Sequence, residues 1–153
     1  MGNLIRYWLI VVLLLADQAL KTYIRTKLVP GWSIVLIPGV LNLTYLRNSG
    51  AAFGLLSRKT EFLVIITIVA ISTIIYVYPQ LPKNKKMLRT GLSLGLAGAL
   101  GNLIDRVRFG YVIDMFDLNF WPGIFNLADL AIVVGVILII IDLLVVVERE
   151  AER

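Results

Sequence analysis

The sequence predicts an all-α integral membrane protein: four transmembrane helices in a bundle, with a small extracytoplasmic β element. Three observations predict it. First, the 153 residues are 59% hydrophobic and only 16% charged, with a mean hydropathy of +0.87. A soluble domain is about 45–50% apolar and about 25% charged, so too little polar surface remains here to cover a globule in water. Second, the apolar residues gather into four runs near the ~20 residues that a spanning helix needs. Third, the connection between the first two runs alternates apolar with polar residues between turn signals, as a half-buried strand does.

The first span covers about residues 4–24, with an unbroken apolar core over 9–16. It has one early basic residue, no small-x-small cleavage pattern, and Asp17-Gln18 where the apolar stretch ends, so it reads as a retained span rather than a signal peptide. The segment from about 25 to 61 is the longest connection. Pro30-Gly31, Pro38-Gly39 and Asn48-Ser49-Gly50 mark turns, and residues 41–45 alternate between them, which predicts a small sheet on the membrane surface. The second span, about 62–78, is uncharged throughout and stops at Pro79 and Pro82. The third, about 88–107, carries Gly91, Gly95 and Gly98 on one helical stripe that Asn102 and Arg106 continue. Small residues let helix backbones approach in lipid, so this helix should sit against its neighbours with its polar end in the bundle. Pro122-Gly123 precede the fourth span, about 124–147. The whole of 1–153 reads as one domain.

The chain has no histidine and no cysteine. That removes Ser-His-Asp triads, cysteine nucleophiles, zinc sites built on His or Cys, and disulfides. Catalysis must run on carboxylates, amides, hydroxyls, Lys or Arg, and no cofactor or metal is expected. The net charge is +5. Its densest cluster, Lys83, Lys85, Lys86 and Arg89, lies between two apolar runs and reads as a contact with anionic headgroups, not nucleic acid. By density this loop is cytoplasmic, together with both termini. By raw count, Lys21, Arg25, Lys27, Arg47, Arg58, Lys59, Arg106 and Arg108 on the other side leave the orientation open.

An ionisable group at membrane depth is costly and marks a functional hypothesis. Glu148, Glu150 and Glu152 alternate with arginines and read as a solvated tail, and Glu61 as interfacial. Asp17 and Lys21 are four apart on one helix face, placed for an ion pair or for a role at a site. Asp142 is remote from the other acids, which favours an interfacial or packing role. Asp105 suits either pairing with an arginine or a site role. Asp114 and Asp129 fall at the same end of the bundle. Asp129 stands five residues past Ile124, about 7–8 Å along a helix axis, with Asn126 on its face. Two carboxylates in a poorly hydrated site cannot both ionise easily; one keeps its proton and the other is anionic. Such a pair can activate water. It can also carry protons or cations in a small transporter, and residue chemistry alone leaves both uses open.

Five motifs occur in order. They are Asp17-Gln18 with Lys21, the run Asn48-Ser49-Gly50-Ala51-Ala52-Phe53, Gly98-Ala99-Leu100-Gly101-Asn102-Leu103-Ile104-Asp105-Arg106, Val112-Ile113-Asp114-Met115, and Phe125-Asn126-Leu127-Ala128-Asp129. Over nearly its full length the sequence resembles the lipoprotein signal peptidase family, also called signal peptidase II. Ala97 replaces a frequent Gly and Met115 a usual Phe; neither change removes a polar group. The resemblance implies an aspartyl endopeptidase of the bacterial cytoplasmic (inner) membrane, with both termini cytoplasmic and the active site near the outer leaflet. It cuts diacylglyceryl-modified prolipoproteins just before the lipidated cysteine. It implies Asp114 and Asp129 as the catalytic dyad, with Asp17, Lys21, Asn48, Gly50, Asn102, Arg106 and Asn126 in supporting or substrate-binding roles. Asp117, three residues from Asp114, is the rival that the motif disfavours. Residues 30–55 would grip the substrate, and Trp32, Phe53 and Trp121 are expected interfacial anchors. Arg108 is expected to snorkel to headgroups. The implied partners are lipid-modified prolipoproteins and membrane lipid, with no nucleic acid, and the protein is expected to be a monomer.

Overall fold

A computed structural model describes residues 2–50 and 59–151. The Ala51-Ala52-Phe53 stretch, with its expected anchor Phe53, lies outside the described residues. The order of elements is α1 (Gly2–Lys27), β1 (Ser33–Ile37), β2 (Leu41–Asn48), α2 (Thr60–Val77), α3 (Lys86–Phe109), β3 (Val112–Leu118), β4 (Ile124–Phe125) and α4 (Leu127–Ala151). A single 3₁₀ turn, Tyr78–Gln80, extends α2 to where proline stops it.

Among the described residues, three helices are long and apolar enough to cross a membrane: Thr60–Gln80, Lys86–Phe109 and Leu127–Val145. The expectation of four is therefore met by three on this measure. The first helix carries Arg6, Asp17, Lys21, Arg25 and Lys27 within its 26 residues and is not one of them. Large apolar side chains on α2 and α4, such as Ile65, Val69, Val133 and Ile137, are exposed. In water that surface would drive aggregation; in lipid it meets its own kind.

α3 is the central helix, packed against α1, α2 and α4. Its glycines make this possible. A Cβ on Gly91 would stand 2.6 Å from the Gly135 carbonyl, and one on Gly98 would meet the Ala128 carbonyl. The two backbones touch where side chains are absent. Gly95 faces open space instead, so only part of the glycine stripe is used. α3 ends at Gly110, whose φ of +77° closes the helix with an N–H bond to the Arg106 carbonyl at 2.9 Å.

The strands form one antiparallel sheet in the order β1-β2-β3-β4. The expected strand over residues 41–45 is the first part of β2. β1 and β3 are strands in segments expected to be connections, and β4 takes the first residues of the expected fourth span. β3 takes up residues 112–118, and β4 takes Ile124 and Phe125, so the fourth helix begins at Leu127 rather than Ile124. Ile24 of α1, Tyr45 of β2, and Ile113 and Met115 of β3 form a small buried core between the sheet and the helix ends.

Candidate active site

The site begins with the alternation of β3. Successive side chains of a strand point to opposite faces. Ile113 and Met115 enter the small core, which turns Val112 and Asp114 to the other face, where both line a cleft of about 480 Å³. Asp117, an odd number of residues from Asp114, takes the opposite face, where its carboxylate accepts a bond from the Thr44 hydroxyl at 3.0 Å. The register of β2 on β3 sets Asn48 opposite Val112. From there Asn48 reaches diagonally to donate through Nδ2 to Asp114 Oδ2 at 2.8 Å.

The start of α4 supplies the second carboxylate. Asn126 caps the helix: its Oδ1 accepts the Asp129 N–H at 2.9 Å, and its own N–H donates to Asp129 Oδ2 at 3.2 Å. This is a reciprocal capping box with Asn and Asp in place of Ser and Glu. It puts Asp129 in the first turn of α4, shallower than an apolar run counted from Ile124 implies. The positive end of the helix dipole faces an acid held there. The Asn126 side-chain nitrogen links the first acid to the next amide: Nδ2 bonds Asp114 Oδ1 at 2.7 Å and Asn102 Oδ1 at 3.2 Å. Asn102 Nδ2 completes Asp129 with a 2.8 Å bond to Oδ1. Both oxygens of each carboxylate are thus held by nitrogen donors, and Asn126 touches both acids.

Behind the amides lies a charged layer. Lys21 is 1% exposed. It donates to Asn102 Oδ1 at 2.9 Å and pairs with Asp17 at 2.9 Å and Asp105 at 3.1 Å. Asp105 therefore pairs with a lysine of α1, not with an arginine, and it also accepts the Ile113 N–H at 3.0 Å, which anchors β3 to α3. Asp17 accepts the Ala128 N–H at 3.0 Å, which caps α4 from α1. Gln18, absent from the sequence-predicted site, joins Asp17, Asp105 and the Gly101 carbonyl through one amide nitrogen. Its place beside Asp17 in the first motif was the available signal. Arg106 donates to the Gly50 carbonyl at 3.1 Å, while the Gly50 N–H bonds Asn48 Oδ1 at 2.9 Å. All nine sequence-predicted site residues thus belong to one connected network. Asp142 stands apart, paired with Lys85 at 3.2 Å.

Asp114 is 1% exposed. Burial, and then the nearby charge of Asp129, push its carboxyl up to about 7; the Asn48 and Asn126 bonds pull the other way without prevailing. Near neutral pH this carboxyl can hold a proton beside a second acid. The cleft over the pair has an apolar wall that includes Trp121, Ile124, Leu130 and Val133. No group of His, Cys, Asp or Glu among the described residues is arranged to hold a metal ion. The arrangement can position a water and a carbonyl between two carboxyls of unequal protonation.

Comparison with known proteins decides the family. The model for Signal peptidase (SPase) II matches residues 9–145. The chain belongs to the signal peptidase II family. The protein named lipoprotein signal peptidase in Moorella thermoacetica is 50% identical over 139 residues, covering 90% of this chain and 92% of that one. The one of that name in Halothermothrix orenii is 44% identical over 138 residues, covering 90% and 93%. A solved bacterial membrane enzyme has a TM-score of 0.87 and 42% identity, covering 91% of this chain and 87% of its own. Membership makes the chain a peptidase of lipoprotein processing, and its apolar helices make it a membrane protein. The similarity gives the transporter alternative no support.

Proposed function

We propose that this member of signal peptidase II is an aspartyl endopeptidase that removes the signal peptide from diacylglyceryl-modified prolipoproteins, cutting just before the lipidated cysteine. The observation that carries the reading is that Asn126 bonds both carboxylates, that of Asp114 through its side-chain Nδ2 and that of Asp129 through its backbone N–H. Two acids from separate segments are held to one cleft and to each other's charge.

Asp114 keeps the proton and Asp129 acts as base. A water between them gives a proton to Asp129 as its oxygen attacks the scissile carbonyl carbon. The Asp114 proton hydrogen-bonds the carbonyl oxygen as charge develops there. The tetrahedral intermediate collapses as the leaving amine takes a proton from Asp129. No acyl-enzyme forms, because no side chain attacks the carbonyl. Asn48, Asn102 and Asn126 hold the carboxyl planes, and Lys21, between Asp17 and Asp105, holds Asn102. Gly50 and Arg106 shape the rim where extended substrate enters.

The same reading makes α1 a fourth span, its Asp17 and Lys21 neutralising one another inside the bundle. Both termini and the 79–89 loop are then cytoplasmic, in the bacterial inner membrane, and the cleft opens near the outer leaflet. The lipid chains of a diacylglyceryl cysteine stay in that leaflet while its scissile bond meets the dyad. The proposed active unit is a monomer.

The test is cleavage of a lipidated and an unlipidated precursor by the purified protein. We expect product from the lipidated form. Asp114→Asn or Asp129→Asn should each lower cleavage by about 10²–10⁴-fold while leaving the protein folded and able to bind substrate. Equal cleavage of both precursors, or of neither, or an active Asp129→Asn, rejects the reading.

A further inference from the structure

Three arginines stand over a short chain of aromatic rings where the ends of α1 and α3 meet β2. Arg47 is in register with Ile113, so residues 45, 47, 111 and 113 alternate onto the face that packs over Ile24 of α1. The Arg47 guanidinium carbon stands 5.0 Å from the centre of the Tyr111 ring and 5.5 Å from that of Tyr45. The Phe109 ring lies 6.0 Å from Tyr111. Over Phe109 stand Arg25 at 4.7 Å and Arg108 at 5.4 Å. A short chain of rings thus gathers guanidiniums from α1, β2 and α3.

All three arginines are exposed. Among the described residues none has a carboxylate partner; the ion pairs there belong to Lys21 and Lys85. Residues 51–58 contain no acid. Arg47 Nε donates to the Tyr45 hydroxyl at 3.3 Å, a neutral acceptor. The three cations have no carboxylate counter-charge among the described residues, and a bound anion supplies one. The planar fork of arginine matches phosphate oxygens. The cluster stands at the last turns of α1 and α3, where a spanning helix meets headgroups, and its rings are of the kind that sit at that level.

We propose that Arg25, Arg47 and Arg108, on the ring platform of Phe109 and Tyr111, bind the headgroup phosphate of an anionic phospholipid in the leaflet that meets the sheet. The proposal rests on α1 and α3 spanning the membrane and is independent of the peptidase chemistry. Arg47 adjoins Asn48, so a lipid held there fixes the end of β2 from which Asn48 reaches Asp114.

The test uses the full chain in nanodiscs of mixed phosphatidylglycerol and phosphatidylcholine, with Lys83→Gln and Lys86→Gln present throughout to silence the opposite end. Native mass spectrometry reads which lipid is retained, and thermal unfolding reads how far phosphatidylglycerol raises the midpoint over phosphatidylcholine alone. The parent should retain phosphatidylglycerol preferentially. Arg25→Gln, Arg47→Gln and Arg108→Gln should each weaken that preference about five-fold, and the triple variant should abolish it. An unchanged preference in the singles overturns the proposal, and they decide the matter if the triple variant does not fold. A midpoint that falls equally in both lipids, with the phosphatidylglycerol increment intact, assigns the arginines a bracing role and also overturns it. Displacement of the lipid by millimolar inorganic phosphate makes this a free-anion site and overturns the lipid assignment.

Discussion

Asp114 departs furthest from ordinary carboxylate behaviour among the groups outside the helices. Its carboxyl titrates at about 7 when folded against an ordinary value of 3.8, so the folded protein binds a proton there that the unfolded chain has released. Stability from this group is therefore full below about pH 4 and declines as pH rises through about 7. The scale of the effect is on the order of 4 kcal/mol. We expect the thermal midpoint in detergent to fall across this window, and Asp114→Asn to flatten the slope. In the proposed mechanism the reaction uses the same proton. The profile of kcat/KM should have an alkaline limb near pH 7, reporting the pair as a unit rather than one residue. A limb more than about two units above this would mean that Asp114 is not the proton holder.

Helix α3 owes its place to what it lacks. Gly91 meets Gly135 of α4, Gly98 meets Ala128, and a Cβ on Gly101 would press Asp17 Oδ2 at 2.7 Å. Ala128 is one residue from Asp129, so the closeness of the helices at Gly98 sets the position of the second carboxylate. Gly98→Val must part the helices at that level. We expect it to cost about 1–3 kcal/mol and to lower cleavage more than stability, read as a rate at a temperature where the variant is folded. Gly95→Ala is the matched control, because nothing lies within 4 Å of its added methyl; it should leave both quantities unchanged. Equal losses from the two substitutions would show that α3 is generally sensitive rather than packed at specific points.

Over the whole molecule, the sheet and the carboxylate pair occupy one end of the bundle, and the 79–89 loop with the Lys85–Asp142 pair the other. Four spans and three spans make different statements about the N-terminus. The absence of native cysteine makes this readable with single introduced thiols. Asn84→Cys should react with a membrane-impermeant maleimide only after the cytoplasmic side is opened, and Asn119→Cys in intact spheroplasts. A tag at the N-terminus should share the side of Asn84. A tag on the side of Asn119 would mean that α1 does not cross.

The sequence by itself determined the membrane character and singled out the polar residues that the fold brings together in the candidate site. These follow from local properties: apolar run length and motif order. It left Asp114 against Asp117 to a motif match, left Asp105 between an arginine partner and a site role, and read β3 as a connection. Where those side chains lie and what they touch depends on the tertiary structure. Which face a strand residue takes depends on register against β2, some 65 positions away in the chain, and a buried acid takes whichever cation the packing of another helix delivers, here Lys21 of α1. Local pattern encodes what each segment is; the pairing of distant segments fixes which atoms meet.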